Sequence, residues 1–433
     1  MPFSTLRGFS DRLPPEAGAR SGLRHRLREA ARLAGFQELE LPSVESLELF
    51  QVKSGAGIAE ELWKFTDKGG RAVTLVPEST PSLARVFAER AKAEPLPVKW
   101  FTVARLWRYE EPQAGRAREF HQFNLDILGA PGVEAEVELL AAASLLLDRI
   151  GADGLYAFRL NDRDLSEALG RGLGASDLPR FFRALDNVRK SPEAELRAEL
   201  AASGLAPGAV DRLRGLLSRS REGVTVAESE PFLAEIEGWN LPPPGPAGLE
   251  RLRQIMALLP HAGIEDRVRI DLSVVRGLDY YTGPVFEAYA RAGDQRALFG
   301  GGRYDKLIEL FGGPPTPACG LAIGDLTLEL LLRAHDRWPA GEPPLDTYVV
   351  AVTPEMIPEA TAWVARLRRA GVAADGDLLG RSLSRQLKEA ARRRARRAIL
   401  VGPRELARGV VLERDLATGE QRERSPSELA PGA

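Results

Sequence analysis

The chain has 433 residues, 44% hydrophobic and 28% charged, with 59 basic and 61 acidic side chains and a formal net charge of -2. That length exceeds one ordinary core and predicts about two or three domains. The near-neutral balance excludes a globally basic nucleic-acid binder, so any grip on phosphates must come from a local face. A single cysteine, Cys319, excludes a disulfide framework and a multi-cysteine metal site, and we expect it to be a small buried hydrophobe. No apolar run approaches the ~18 residues of a membrane span, and Met1 to Arg12 lacks an apolar signal core. A cytoplasmic protein is expected.

In chain order, Leu23, Leu27, Ala30, Ala31 and Ala34 recur at helical spacing, with Gly35 as a C-cap. Phe36 to Leu41 is an extended run ended by Pro42. Leu62 to Phe65 and Ala72 to Val76 predict short strands around a turn at Lys68-Gly69-Gly70. Val98 to Val103, Leu106 to Tyr109 and Phe120 to Leu128 predict further strands, and Glu134 to Ile150 a buried helix. From about Ser176 to Leu258 the pattern is helical, broken at Pro242-Pro243-Pro244-Gly245-Pro246, and reads as an insertion. Strand signals resume from Val268 to Val275 and run on to Tyr289. Gly320 to Leu332 leads from a strand or turn into an apolar helix. Pro339 to Pro344 is a linker by composition. Beyond it, Tyr348 to Val352, a helix over Pro358 to Ala370, Val372 to Ala374, a helix over Ser382 to Arg397 and Ala398 to Val401 predict a small α/β domain.

Three segments concentrate polar chemistry. Arg276 to Glu287, Arg-Gly-Leu-Asp-Tyr-Tyr-Thr-Gly-Pro-Val-Phe-Glu, puts a cation, two carboxylates and three aromatic rings in one short stretch. Gly300-Gly301-Gly302-Arg303-Tyr304-Asp305 reads either as a phosphate loop or as a run that lets backbones approach closely. Arg108, Glu110, Arg116 and Arg118 form either a triphosphate clamp, since guanidinium planes match phosphates bidentately, or a solvated hairpin with salt bridges. Gln122, Asn124 and Asp126 follow on one face of an apolar strand, which points to a ligand or a wet cleft. Tyr280, Tyr281 and Tyr304 are pocket rings or core aromatics. His121 has no second histidine or cysteine at ligand spacing, so no metal site is expected on it. Near the C-terminus Arg381, Arg385, Lys388, Arg392, Arg393, Arg394, Arg396 and Arg397 surround an apolar stripe of Leu383, Leu387, Ala391 and Ala395, with Glu389 the one acid in that span. This face points to phosphate-backbone binding.

Together these segments resemble the histidyl-tRNA synthetases, a class II aminoacyl-tRNA synthetase family, nearly end to end. Arg7-Gly8-Phe9-Ser10-Asp11 with Leu13-Pro14 is similar to the family's N-terminus, and Leu41-Pro42 through Leu49-Phe50 to class II motif 1, the family's dimer interface. Pro77-Glu78-Ser79-Thr80 resembles its Pro-Glu-Gly-Thr segment and Arg108 to Gln122 its motif 2. Arg276 to Glu287 and Gly301 to Asp305 resemble the two histidine signatures; Asp377 to Leu383 and Gly402 to Val410 resemble its anticodon-binding domain. The resemblance implies an α+β fold: an antiparallel class II sheet flanked by helices within residues 1–338, a helical insertion near 176–258, a linker at 339–345 and an α/β anticodon-binding domain over 346–433. It implies a homodimer that uses ATP and Mg²⁺ to join histidine to tRNA(His). By the same resemblance Arg108 holds the α-phosphate, Glu110 the adenine, and Arg276 the α-phosphate or substrate carboxylate. Glu78, Thr80, Arg116, Gln122 and Asp126 orient histidine, and Tyr280, Tyr281 and Tyr304 line its imidazole pocket. Arg381, Arg385, Lys388 and Arg392 contact tRNA.

Three positions depart from the family pattern. Thr327 stands where motif 3 normally carries arginine, and no arginine occurs from Gly320 to Leu332. Val76 and Glu111 stand at two further positions often held by arginine. Losing one preorganised donor commonly costs ~10²–10³ in rate. These departures leave a second reading open: a catalytically impaired relative that senses histidine, or a regulatory subunit of ATP phosphoribosyltransferase, which shares the core but usually lacks the anticodon domain.

Overall fold

The computed structural model describes residues 3–51, 61–189, 191–275, 280–291, 297–341 and 345–429. Eight strands form the large sheet, in the order β1 (Gln37–Glu38), β5 (Val98–Trp107), β6 (Glu119–Leu128), β11 (Ala318–Gly324), β10 (Ala297–Arg303), β9 (Pro284–Ala290), β7 (Tyr156–Asp162) and β8 (Val268–Ile270). Its pairs are antiparallel except β1–β5 and β7–β8. A small sheet joins β2 (Val44–Ser46), β4 (Ala72–Leu75) and β3 (Lys64–Thr66). A third has the order β13 (Ala374–Gly376), β12 (Thr347–Ala351), β14 (Arg397–Val401), β15 (Val411–Asp415) and β16 (Gln421–Arg424). Two compact units result. One comprises the residues up to Asp11 with Leu23–Trp338, and the other Arg12–Gly22 with the chain from Pro339 onward. Among the described residues no helix is long and apolar enough to cross a membrane.

The large sheet is two-faced because side chains alternate along each strand. Phe123, Leu125 and Ile127 of β6 share one apolar cluster with Leu321 and Ile323 of β11, Phe286 of β9 and Phe158 of β7. Leu23, Leu27 and Ala30 of the helix Glu16–Leu33 join the same cluster, as do Leu139, Leu140 and Leu146 of the helix Glu134–Arg149. Each large apolar side chain withdrawn from water contributes about 1.5–3 kcal/mol. The predicted insertion is helical throughout, with helices Leu178–Asp186, Glu193–Ala202, Pro207–Glu222, Val226–Glu237 and Gly245–Leu258. The last begins where the proline run ends, with a proline in its first turn, where the missing N–H costs nothing.

Several boundaries differ from the sequence reading. β5 is one strand of ten residues rather than two, because Ala104 and Arg105 stay in register with Gln122 and His121. β8 stops at Ile270, because the Asp271 carboxylate turns the chain by accepting from the Ser273 amide and hydroxyl (3.0 and 2.7 Å). β7 carries Arg159, Asn161 and Asp162 among its apolar residues. Those polar residues hid it in the sequence. The basic helix ends at Arg392 rather than Arg397. Arg394 then turns the chain with φ 53°, and Arg397 already belongs to β14.

Candidate active site

The face of the large sheet opposite the apolar cluster carries the polar residues. Gln122, Asn124 and Asp126 of β6 lie opposite Gly324, Ala322 and Gly320 of β11. Gly320 and Ala322 lie in turn opposite Gly302 and Gly300 of β10. Paired residues of an antiparallel ladder share a face, so the middle of this face is floored by backbone and one methyl group. The glycine run is therefore a strand that admits close approach. A Cβ at Gly320 would collide with Asp126 Oδ1, and one at Gly302 would stand 2.9 Å from Tyr281 Cδ1.

Around this floor sits an acid with three rings. Tyr304 is 2% exposed and donates to Asp126 Oδ1 at 2.5 Å. Burial, reinforced by the Asp126 carboxylate, pushes the Tyr304 hydroxyl well above its ordinary value, so it stays a donor. Tyr280 packs on Tyr281 with centroids 4.6 Å apart and edge-on against Tyr304 at 6.0 Å. Asn124 is 1% exposed, and its amide oxygen has no hydrogen-bond partner among the described residues; the same holds for the hydroxyl of Thr102, its ladder neighbour on β5. Buried acceptors left open are costly unless something donates to them. Thr102 was not singled out in the sequence; its position opposite Asn124 was the available signal.

The other site residues border the turn between β5 and β6. Arg108 donates from Nε to the Pro77 carbonyl at 3.0 Å and lies over the Phe120 ring at 5.4 Å. The Trp107 amide donates to the Val76 carbonyl at 3.0 Å, so the segment carrying Glu78 and Thr80, both buried, runs beside the end of β5. Arg116 pairs with Glu110 at 3.3 Å, while Arg118 donates to the Glu110 carbonyl at 3.1 Å. Gln122 is buried at the base. Arg276 lies outside the described residues.

A family model for histidyl-tRNA synthetase matches residues 8–327, and one for an anticodon binding domain matches residues 346–432. The chain belongs to the histidyl-tRNA synthetase family. Its similar relatives include the histidine–tRNA ligase of Halobacterium salinarum, 38% identical over 441 residues that cover 100% of this chain and 98% of that protein. The histidine–tRNA ligase of Pyrococcus furiosus is 36% identical, covering 96% and 95%. Among solved structures, the histidyl-tRNA synthetase of Nostoc sp. PCC 7120 superposes with a TM-score of 0.85 at 23% identity, covering 99% of this chain and 98% of that one. An ATP phosphoribosyltransferase regulatory subunit/histidyl-tRNA synthetase from Bacillus halodurans superposes with a TM-score of 0.74, also at 23% identity, over 90% and 96%. At those identities the likeness is one of fold.

The three departures from the synthetase pattern each have a local structural account. The Thr327 hydroxyl lies 2.8 Å from the Leu298 carbonyl and 3.0 Å from that of Gly324. Leu298 sits at the irregularity where β10 slips register against β9, so Thr327 gives that carbonyl a donor. Val76 is buried with Leu49, Phe50, Leu62 and Leu106, a setting hostile to a guanidinium. Glu111 pairs with Arg7 at the surface. Arg303 is a structural arginine. Nearly buried, it pairs with Glu136 at 2.7 Å and donates to the Ala130 and Gly132 carbonyls. Burial pushes the Glu136 carboxyl up against the pull of Arg303, and removing one partner of such a pair commonly costs about 3–5 kcal/mol. Cys319 is fully buried, and burial pushes its thiol well above the ordinary value, which leaves it inert.

In the anticodon-binding unit the basic helix Leu383–Arg392 is pinned by Gln386, which accepts from the Ala351 amide at 3.0 Å and donates to its carbonyl at 3.1 Å. Leu383 and Leu387 pack with Ala390 against Tyr348 and Val350. Ala391 is exposed, which corrects the stripe read from the sequence: at a helical period, 390 continues 383 and 387. Most of the cations are internally paired. Arg381 pairs with Asp377, Arg392 and Arg393 with Glu389, Arg396 with Asp346, and Arg397 with Glu413. The Arg392 and Arg393 hydrogen bonds hold the Glu389 carboxyl down at about 2. Arg385, Lys388 and Arg392 are exposed and fall on one helical face.

Proposed function

We infer that this chain is a histidine–tRNA ligase that activates histidine with ATP to histidyl-adenylate and then transfers the acyl group to tRNA(His). The Asp126–Tyr304 pair above the Gly302–Gly320 floor carries the reading. It is a carboxylate oriented by a buried donor and ringed by tyrosines, which suits an imidazole with N–H groups to donate. The full-length match to ligases of that specificity supports it.

The first step is attack of a histidine carboxylate oxygen on the α-phosphorus, with pyrophosphate leaving. In the second, a ribose hydroxyl of the tRNA terminus attacks the adenylate carbonyl and AMP leaves. Neither step needs a covalent enzyme intermediate, so positioning and charge neutralisation supply the rate. Arg108 holds the α-phosphate, Glu110 the adenine, and Arg276 the α-phosphate or carboxylate. Glu78 and Thr80 take the amino group; Gln122, Asp126 and Arg116 orient the substrate; and Tyr280, Tyr281 and Tyr304 enclose the imidazole. Among the described residues no group of three or more histidine, cysteine or acidic side chains forms a metal cage. Mg²⁺ enters our reading as the counter-ion of the nucleotide, held mainly by phosphate oxygens and water.

Arg381, Arg385, Lys388 and Arg392 face the tRNA backbone. We place a homodimer interface on the small sheet, where Val44 and Phe65 are exposed, and the protein in the cytoplasm. The anticodon-domain match over residues 346–432 weighs against the regulatory-subunit reading. Histidine-dependent ATP–pyrophosphate exchange on the purified protein tests the assignment. We expect exchange with histidine and not with other amino acids; histidine binding without exchange would support the sensor instead.

A further inference from the structure

The turn between β5 and β6 takes its shape from two segments distant in sequence. At its root the Arg118 amide donates to the Gly8 carbonyl at 3.0 Å, and the Tyr109 amide donates to the Glu61 carbonyl at 2.8 Å. Gly8 has φ +86°, and a Cβ there would stand 2.7 Å from Arg118 Cγ. A continuous chain of ring contacts follows: Phe9 edge-on to Trp63 at 5.7 Å, Trp63 edge-on to Tyr109 at 4.8 Å, and the Arg118 guanidinium over Tyr109 at 4.1 Å. The N-terminal segment is itself closed, by the Phe9 amide on the Leu6 carbonyl and the Thr5 hydroxyl on Asp11, each at 3.0 Å. At the tip, Gln113 and Arg116 exchange backbone hydrogen bonds of 3.1 and 2.9 Å. Gly115, with φ +77°, rests on the helix Asp325–Ala334. A Cβ there would stand 3.1 Å from Leu330 Cδ1 and 3.7 Å from Thr327 Cγ2.

We propose that residues 5–11 form a strap, and Thr327 with Leu330 a seat, which together hold the 109–118 turn in its nucleotide-binding shape before ATP arrives. Gly8, Phe9 and Leu330 are then positioning residues. The proposal rests on reading this turn as part of the ATP site. The exposed Arg7–Glu111 pair adds little; the edge-to-face ring contacts and the close approach at Gly8 do most of the holding. A turn fixed in advance binds without first losing its freedom, and this offsets the charge that Thr327 does not supply. Position 327 is thus adapted to packing.

The test compares wild type with Phe9→Ala, Gly8→Ala and Leu330→Ala in the full-length protein, by hydrogen–deuterium exchange over residues 108–118 without ligand and by ATP–pyrophosphate exchange. Ordering one residue's backbone is worth about tenfold in an equilibrium constant. We therefore expect about tenfold faster amide exchange in the turn and about a tenfold rise in KM for ATP, with KM for histidine unchanged. Unchanged amide exchange in Phe9→Ala and Leu330→Ala overturns the strap and seat. So does a rise of both KM values together, which marks a general loss of structure. If the wild type exchanges no pyrophosphate, the ligase reading fails, while amide exchange still decides whether strap and seat hold the turn.

Discussion

Asp126→Asn isolates the recognition of histidine from the rest of the reaction. The carboxylate is 1% exposed and accepts from Tyr304 at 2.5 Å. Asparagine keeps its shape and can still accept that hydroxyl, so neither the glycine floor nor the Tyr304 side chain needs to move. What disappears is the negative charge that the proposed function assigns to the imidazole. A hydrogen bond to a charged group is worth about 1.5–3 kcal/mol, which at about 1.36 kcal/mol per decade corresponds to roughly 10- to 150-fold. The expected result is a rise of that size in KM for histidine in ATP–pyrophosphate exchange, with KM for ATP unchanged. An unaltered KM for histidine would refute the assignment of Asp126 to the imidazole, and equal rises in both constants would show a damaged sheet.

Three other perturbations separate structural from catalytic roles. Thr327→Arg removes the donor to the Leu298 carbonyl and forces a long side chain under the Gly115 turn. Losing a neutral hydrogen bond worth about 0.5–1.5 kcal/mol predicts about a two- to tenfold fall in pyrophosphate exchange; a rise would show that charge at the phosphates, not loop packing, limits the rate. Arg385→Glu with Lys388→Glu should weaken tRNA binding and flatten its dependence on salt, with a log–log slope reduced by about 0.7–0.9 for each phosphate no longer neutralised. Histidine-dependent exchange should be unaffected, and an unchanged salt slope would make this face an ordinary solvated one. The Glu389 carboxyl lies below its ordinary 4.5, at about 2. Its contribution to stability is therefore fully present above about pH 4.5 and is lost as pH falls toward 2. Glu389→Gln should flatten acid unfolding in that window, and an identical acid profile would show that Glu389 has no part in it.

Part of the candidate site was legible because each of its segments is compact in sequence. The alternation of Gln122, Asn124 and Asp126 marks one face of a strand whatever its neighbours are, and Tyr304 follows directly on β10. What the sequence concealed came from long-range pairing. The run ending in Arg303 left a phosphate loop open as one of two readings because the partner of Arg303, Glu136, lies far away in the chain. The basic stretch from Arg381 to Arg397 shows one acid in its own span because Asp346, Asp377 and Glu413, which pair with Arg396, Arg381 and Arg397 on either side of the helix, come from outside it. Nothing in the sequence ties Gly8 to Arg118; only the fold brings them together. Strand boundaries failed for a related reason: β5 continues past Ala104 because β6 offers it a partner there.

Aminoacylation itself is the decisive assay for the ligase assignment: purified protein with ATP, Mg²⁺, radiolabelled histidine and tRNA(His). We predict that histidine becomes attached to the tRNA, and that omitting ATP abolishes the attachment. Histidine binding with no label on the tRNA, at any enzyme concentration, would contradict the assignment.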